Sequence, residues 1–316
     1  MSRLRPILVT GSHRSGSTWV GRMLSASRGI GYLHEPFHVG HRLGVCGARF
    51  DQWFTYITKE NEGRYLEPIR RTLEFRYDAS AELATLRSLK DVARMARDWS
   101  RFARLRWRGA RPLMKDPIAL FSAEWLAEKF DMDVVVLIRH PAAFVSSLKN
   151  LGWGQPFADF AAQPELMRDL LAPFRGEIEQ ALAGAGDSID RSAMLWKIIH
   201  HVILQYRERH AGWLLRRHED LSRKPLAEFE VLYSTLGLRF DDRVRRVIVK
   251  YSGDQNPRDP SDARSMKRDS TGNTQNWAYR LTSEEIDRIR TRVEDVSSRF
   301  YSDDDWEPRI RSHERA

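Results

Sequence analysis

A chain of 316 residues with 41% hydrophobic content can bury the core of one large α/β domain, and no apolar run approaches the ~20 residues of a membrane span. The net charge of +9 points to an anionic partner, and a single cysteine, Cys46, excludes an intrachain disulfide framework. With no Pro/Ser/Gly linker, low-complexity stretch or internal repeat, the expectation is one cytoplasmic domain over 1–316, ending in a frayed charged tail at 303–316.

The first predicted element is a strand from Ile7 to Thr10, which delivers the chain to the polar loop Gly11 to Thr18, and a helix follows from Ser17 to Ala26. Backbone N–H groups in such a loop, with the helix N-terminus behind them, attract oxyanions. The loop follows the Walker pattern G-x-x-x-x-G-K-[ST] with Ser17 where the lysine belongs. A short strand covers Tyr32 to His34, and the region from Asp51 to Arg108 reads as mostly helical. Within it Arg97, Arg101, Arg104 and Arg108 recur at helical spacing, with Met95, Trp99 and Phe102 on the opposite face. That pattern describes either a solvated basic face on a docked helix, or a landing surface for an acidic glycan, lipid headgroup or nucleotide, so peripheral contact with an anionic surface is open.

A third strand, Pro112 to Lys115, runs into Asp116-Pro117; a helix follows from Phe121 to Lys129, then a fourth strand from Val134 to Ile138. That strand ends in Arg139 rather than the Mg²⁺-holding acid of a kinase-like site. The helix after it, Ala142 to Leu148, carries Ser147 about two turns in. The Gly- and Pro-punctuated stretch from Asn150 to Asp187 gives the weakest periodic signal and is read as an acceptor-side lid. Beyond it come a helix from Met194 to His210, a strand from Trp213 to Arg216, a helix opened by Pro225, and a last helix opened by the capping box Thr282 to Glu285. Alternating strands and helices imply a single P-loop-like α/β domain: a central parallel sheet, helices on both faces, and ligands beyond the carboxyl ends of the strands.

The loop offers its N–H groups, the Arg14 guanidinium and the hydroxyls of Ser15, Ser17 and Thr18 to one phosphate. Arg139 and Ser147 can clasp a second. The segments GSHRSGSTW, YLHEPF, LIRHPAAFVSSL and RRHEDLSRKPLAEFEVLYSTLGL, in this order, resemble the sulfotransferase superfamily that uses 3′-phosphoadenosine 5′-phosphosulfate (PAPS), its carbohydrate and bacterial members in particular.

The resemblance implies that Arg14, Ser15, Gly16, Ser17, Thr18 and Trp19 bind the 5′-phosphosulfate, Arg14 standing where many members carry lysine. Arg139 and Ser147 match the pair that holds the 3′-phosphate, and His218 takes the place where cytosolic members often have a tyrosine near the adenine. Thr271 to Thr282, with Gly272, resembles the Gly-rich segment that closes over the nucleotide; the usual Arg-Lys before that glycine is missing, with Lys267 and Arg268 set further back. PAPS would be the co-substrate, PAP (adenosine 3′,5′-bisphosphate) the product, and no metal is required, because fixed cations can stabilise the departing phosphate oxygen.

The acceptor is then a small molecule or glycan with a free hydroxyl, chosen by segments around 37–110 and 150–190. Glu35 is the expected general base, with Asp116 as its rival and Lys115 as an electrostatic assistant. His34-Glu35-Pro36-Phe37-His38 also matches the zinc-peptidase string H-E-x-x-H, but Pro36 argues against the continuous helix that string needs. A kinase-like phosphotransferase using ATP and Mg²⁺ is the competing enzyme class, disfavoured by the missing lysine and acid. No nucleic-acid-binding motif is present, so nucleic acid is not the expected partner.

Overall fold

The computed structural model describes residues 4–253, 255–257 and 269–307. Five strands form one sheet: β1 (Ile7–Gly11), β2 (Ile30–His34), β3 (Arg111–Lys115), β4 (Asp133–Ile138) and β5 (Leu214–Arg217). Their order is β2-β3-β1-β4-β5 and every pair is parallel, with Gly11 opposite Leu137 and Val9 opposite Lys115. All the carboxyl ends therefore open on one edge, and the loops that follow them carry the candidate site.

Successive strand side chains point to opposite faces, and each face has its own core. Ile7, Val9, Val135 and Leu137 pack against the helix α1 (Ser17–Leu24) and the helices Pro225–Thr235 and Asp242–Ser252. Leu8, Val134, Val136 and Ile138 pack against Pro141–Leu151, Ser188–Arg209 and Ser283–Ser297. This double burial is why the strands read as unbroken apolar runs. The expected capping box is formed: Thr282 Oγ1 accepts from the N–H of Glu285, whose carboxylate accepts from the N–H of Thr282.

Two expectations need correction, the helical reading from Asp51 and the frayed tail from 303. Residues 51–65 are mostly irregular, with one short turn at Glu62–Arg64, because their backbone donors are taken by side chains. Tyr56 N–H goes to Gln163 Oε1 at 2.7 Å, Ile57 N–H to Ser122 Oγ at 2.9 Å and Thr58 N–H to Asn61 Oδ1 at 3.0 Å. The stretch read as an acceptor-side lid, part of an expected helical and loop insertion over 150–190, contains the helices Phe157–Ala161, Pro164–Asp169 and Arg175–Leu182. The tail is anchored as far as Trp306, which is buried, and Asp305 pairs with Arg217 at 2.7 Å. The remainder of the expected frayed segment, 308–316, lies outside the described residues, as do Lys267 and Arg268.

The basic helix runs from Leu89 to Trp107. Of the three residues expected to dock it, Phe102 is buried and Met95 is half-buried, whereas Trp99 faces solvent at 55% exposure. At 100° per residue Trp99 lies a further step around the helix from Phe102, past the edge of the contact. No described helix is long and apolar enough to cross a membrane.

Candidate active site

The loop from Gly11 to Gly16 turns sharply through residues of positive φ. Gly11 has φ 132°, and a Cβ there would lie 2.1 Å from Leu137 O, inside the β1–β4 contact. Gly16 has φ 84° at the N-cap of α1, and a Cβ there would lie 2.5 Å from His218 Nδ1. Both positions need glycine for space as well as for backbone conformation. The first helical bond of α1 runs from Val20 N–H to Gly16 O at 3.0 Å, so the N–H groups of Ser17, Thr18 and Trp19 precede the intrahelical ladder. These three residues line a cleft of about 1060 Å³ beyond the strand ends. No acidic residue stands in this first turn, which leaves the positive helix end for an incoming anion.

Arg14, at φ 65°, joins the two expected phosphate sites. Its Nε donates to Ser147 Oγ at 3.0 Å, its carbonyl accepts from an Arg139 terminal nitrogen at 2.5 Å, and its guanidinium lies 5.6 Å from the Trp153 ring centre. Arg139 is held from behind. Its carbonyl accepts from Trp196 Nε1 at 2.8 Å, and the following His140 N–H donates to Glu219 Oε1 at 3.0 Å. Tyr301 donates to the other Glu219 oxygen at 3.1 Å, and the His140 ring packs among Trp277, Tyr301 and Trp306. Burial raises the Glu219 carboxyl above its ordinary value and pushes His140 down to about 3, so the histidine in this support is neutral at pH 7.

Glu35 follows β2 at φ 46°, with its N–H on Lys115 O at 2.8 Å. Its carboxylate pairs with Lys115 Nζ, which is fully buried beneath it, while Glu35 is open to the cleft. Burial works against ionisation of Glu35, but the Lys115 charge and hydrogen bond outweigh it and hold the carboxyl below its ordinary value. Burial also draws Lys115 below its ordinary value, with Glu35 opposing. His34, pressed by burial and by Lys115, falls to about 4 and is neutral at pH 7.

Of the residues expected at the site, Arg14, Gly16, Ser17, Thr18, Trp19, Glu35, Arg139 and His218 line the cleft. Five stand back from it. Ser15 is fully buried with its N–H on Ser12 O, and Ser147 reaches the site through Arg14. Lys115 acts through Glu35. Asp116 is fully buried; its two oxygens accept from Phe37 N–H at 2.7 Å and Ile118 N–H at 3.1 Å, so it fixes the loop after Glu35. Gly272 sits in the short helix Ser270–Asn273 with its N–H on Asp269 at 3.0 Å, and Ser270 and Asn273 face the cleft in its place. His34 closes a strand and Glu35 to His38 form a turn, so the two histidines of the H-E-x-x-H string share no helix face.

Sequence reasoning missed Trp53, Trp153 and Gln155 on the cleft wall. They come from irregular chain whose periodicity carries no signal, although each lies in a segment expected to choose the acceptor.

Residues 6–242 match the model of the sulfotransferase family. The chain belongs to the sulfotransferase family. It is similar to carbohydrate sulfotransferase 3 of Mus musculus, at 24% identity over 177 residues, covering 54% of this chain and 31% of that protein. The chain thus spans about a third of the length of that curated relative. Among solved structures it is similar to a sulfotransferase domain from the curacin biosynthetic pathway, with 16% identity, TM-score 0.47 and coverage of 93% and 99% of the two chains. It is also similar to mouse sulfotransferase SULT7A1 complexed with PAP, with 13% identity, TM-score 0.45 and coverage of 94% and 87%.

Proposed function

We propose that this sulfotransferase moves a sulfuryl group from PAPS to an acceptor hydroxyl, on a carbohydrate or glycoconjugate, with Glu35 as general base. The observation that carries the reading is the pairing of two features in one cleft: an anion cradle without a P-loop lysine, and an ionised glutamate set on its rim by a buried lysine. Asp116 is set aside as the base because both its oxygens are committed to backbone donors.

PAPS would bring the activated sulfuryl group. The first-turn N–H groups of α1 and Arg14 would hold the 5′ side, and Arg139 with the Arg14–Ser147 pair the 3′-phosphate. The acceptor O–H gives its proton to Glu35 as the new O–S bond forms, and the bond from sulfur to the 5′-phosphate oxygen breaks, with Arg14 and the helix end stabilising the charge left on that oxygen. Likeness to a carbohydrate sulfotransferase supports a sugar acceptor, and Trp53 and Trp153 offer flat apolar walls suited to a sugar ring.

Glu35→Gln tests the assignment. Turnover should fall by about a hundredfold or more with PAP affinity nearly unchanged, because the amide keeps the shape and loses the base. Unchanged turnover would remove Glu35 from that role.

A further inference from the structure

The Leu89–Trp107 helix turns the wrong side outward for a docked helix. Leu89, Val92, Ala96, Trp99, Ala103 and Trp107 recur at steps of three and four and form one apolar stripe on the solvent face. Leu89 is 88% exposed and Trp107 is 85% exposed, and no described residue covers them. Lys90, Arg94, Arg97, Arg101, Arg104 and Arg108 form a second stripe one residue around the helix. Lys90, Arg104 and Arg108 have no ion pair among the described residues; of the two acids of the helix, Asp91 sits in the first turn and pairs with Arg94, and Asp98 pairs with Arg42 and Arg97. A groove of about 690 Å³ beside Trp99 and Trp107 is lined by three more arginines, Arg71, Arg76 and Arg106.

We propose that this face docks the enzyme on an anionic lipid bilayer, with Trp99, Trp107 and Leu89 entering the interface and the basic stripe meeting the headgroups. An apolar stripe with tryptophan, flanked along its length by Arg and Lys, is the pattern of a helix lying in the membrane surface, where apolar burial and attraction to anionic lipid add. Charge complementarity selects this occupant over a second copy of the chain, which would set one cationic stripe against another. The basic stripe, in which Lys90, Arg104 and Arg108 have no ion pair among the described residues, would lie within a Debye length of the headgroup plane, which makes the attachment sensitive to salt. The helix hands the chain directly to β3, whose far end carries Lys115, so docking would hold the catalytic sheet at a fixed distance from the bilayer.

Sedimentation of the full chain with phosphatidylcholine vesicles carrying about a third phosphatidylglycerol, against pure phosphatidylcholine, tests the proposal. Binding is expected to the anionic vesicles, weakening as salt is raised. Trp99→Ala/Trp107→Ala should lower the partition coefficient about tenfold or more, and Arg97→Glu/Arg104→Glu should abolish the preference for anionic lipid. Both variants should keep the wild-type thermal midpoint and PAP affinity, since the altered side chains are exposed and none lines the cleft. No binding to anionic vesicles, equal binding to both kinds, or partition unchanged in the tryptophan variant would overturn it. A lipid-free dimer that the tryptophan variant dissolves would overturn it as well, by giving the face to a second copy.

Discussion

Glu35 is a non-glycine residue at positive φ, a conformation that costs roughly 1 kcal/mol or more and persists where the surroundings over-determine it. Its N–H bond to Lys115 O and its ion pair with the Lys115 side chain supply that constraint from one neighbouring strand end. The pair also sets a pH dependence. A carboxyl held below its ordinary value is ionised from neutrality down past the usual glutamate range, so turnover should be level near pH 7 and fall on acidification. The stability this ion pair lends has the same sign: it is present above the unfolded value and is lost as pH falls through the folded one. Lys115→Met leaves burial without its opposing cation, and the acid limb of kcat should move up toward neutrality, as a pH–rate profile would show. A limb that stays in place would mean that Lys115 does not set the Glu35 charge. Arg139→Ala should weaken PAP binding by about 2 kcal/mol and 5′-AMP much less, measured by calorimetry, because the proposed partner of its fork is the 3′-phosphate. Equal losses for the two ligands would take Arg139 away from the 3′ position. The Glu35 and Arg139 candidates were legible in the sequence because each follows an apolar strand. The inward turn of Ser15 and the backbone duty of Asp116 were not, since both depend on partners that folding alone brings near.

At the scale of elements, the five strands were readable to within two residues, β1 and β4 most plainly because burial on both faces leaves apolar runs. The chain from 51 to 65 was misread for the opposite reason: its hydrogen bonds go to Gln163 and Ser122, more than sixty positions away, so no local period records them. The final turn was misread from its charges. Asp303 to Asp305 look solvent-bound, yet Asp305 pairs with Arg217, and Trp306 closes over His140 at 4.5 Å between ring centres. That makes the C-terminal turn a brace for the end of β4. Trp306→Ala should destabilise the fold by about 3 kcal/mol or more and weaken PAP binding through loss of support for Arg139, read from denaturant melts and calorimetry together. Full retention of PAP affinity in the folded variant would confine Trp306 to stability.

Across the whole molecule, one edge of a parallel sheet gathers the loop before α1, the end of β2 and the end of β4 around a single cleft. His38 and Trp53 reach it from the segment 37–110, and Trp153 to Pro156 with Asp159 from 150–190, so both segments share one space with the loop before α1. The basic helix belongs to a different face, and its meaning could not be read from spacing, because the arginine period was visible while the outward turn of Trp99 and Trp107 depends on what the rest of the fold leaves uncovered. The central claim is that the cleft is built for a nucleotide with phosphates at both 3′ and 5′ positions. Thermal melts with PAP, set against ATP plus Mg²⁺ at equal concentration, test it most directly. PAP at a hundredfold excess over its Kd should stabilise the protein by about 2.7 kcal/mol, a rise of several degrees, with little effect of ATP and Mg²⁺. Stabilisation by ATP and Mg²⁺ that equals or exceeds that by PAP would contradict it.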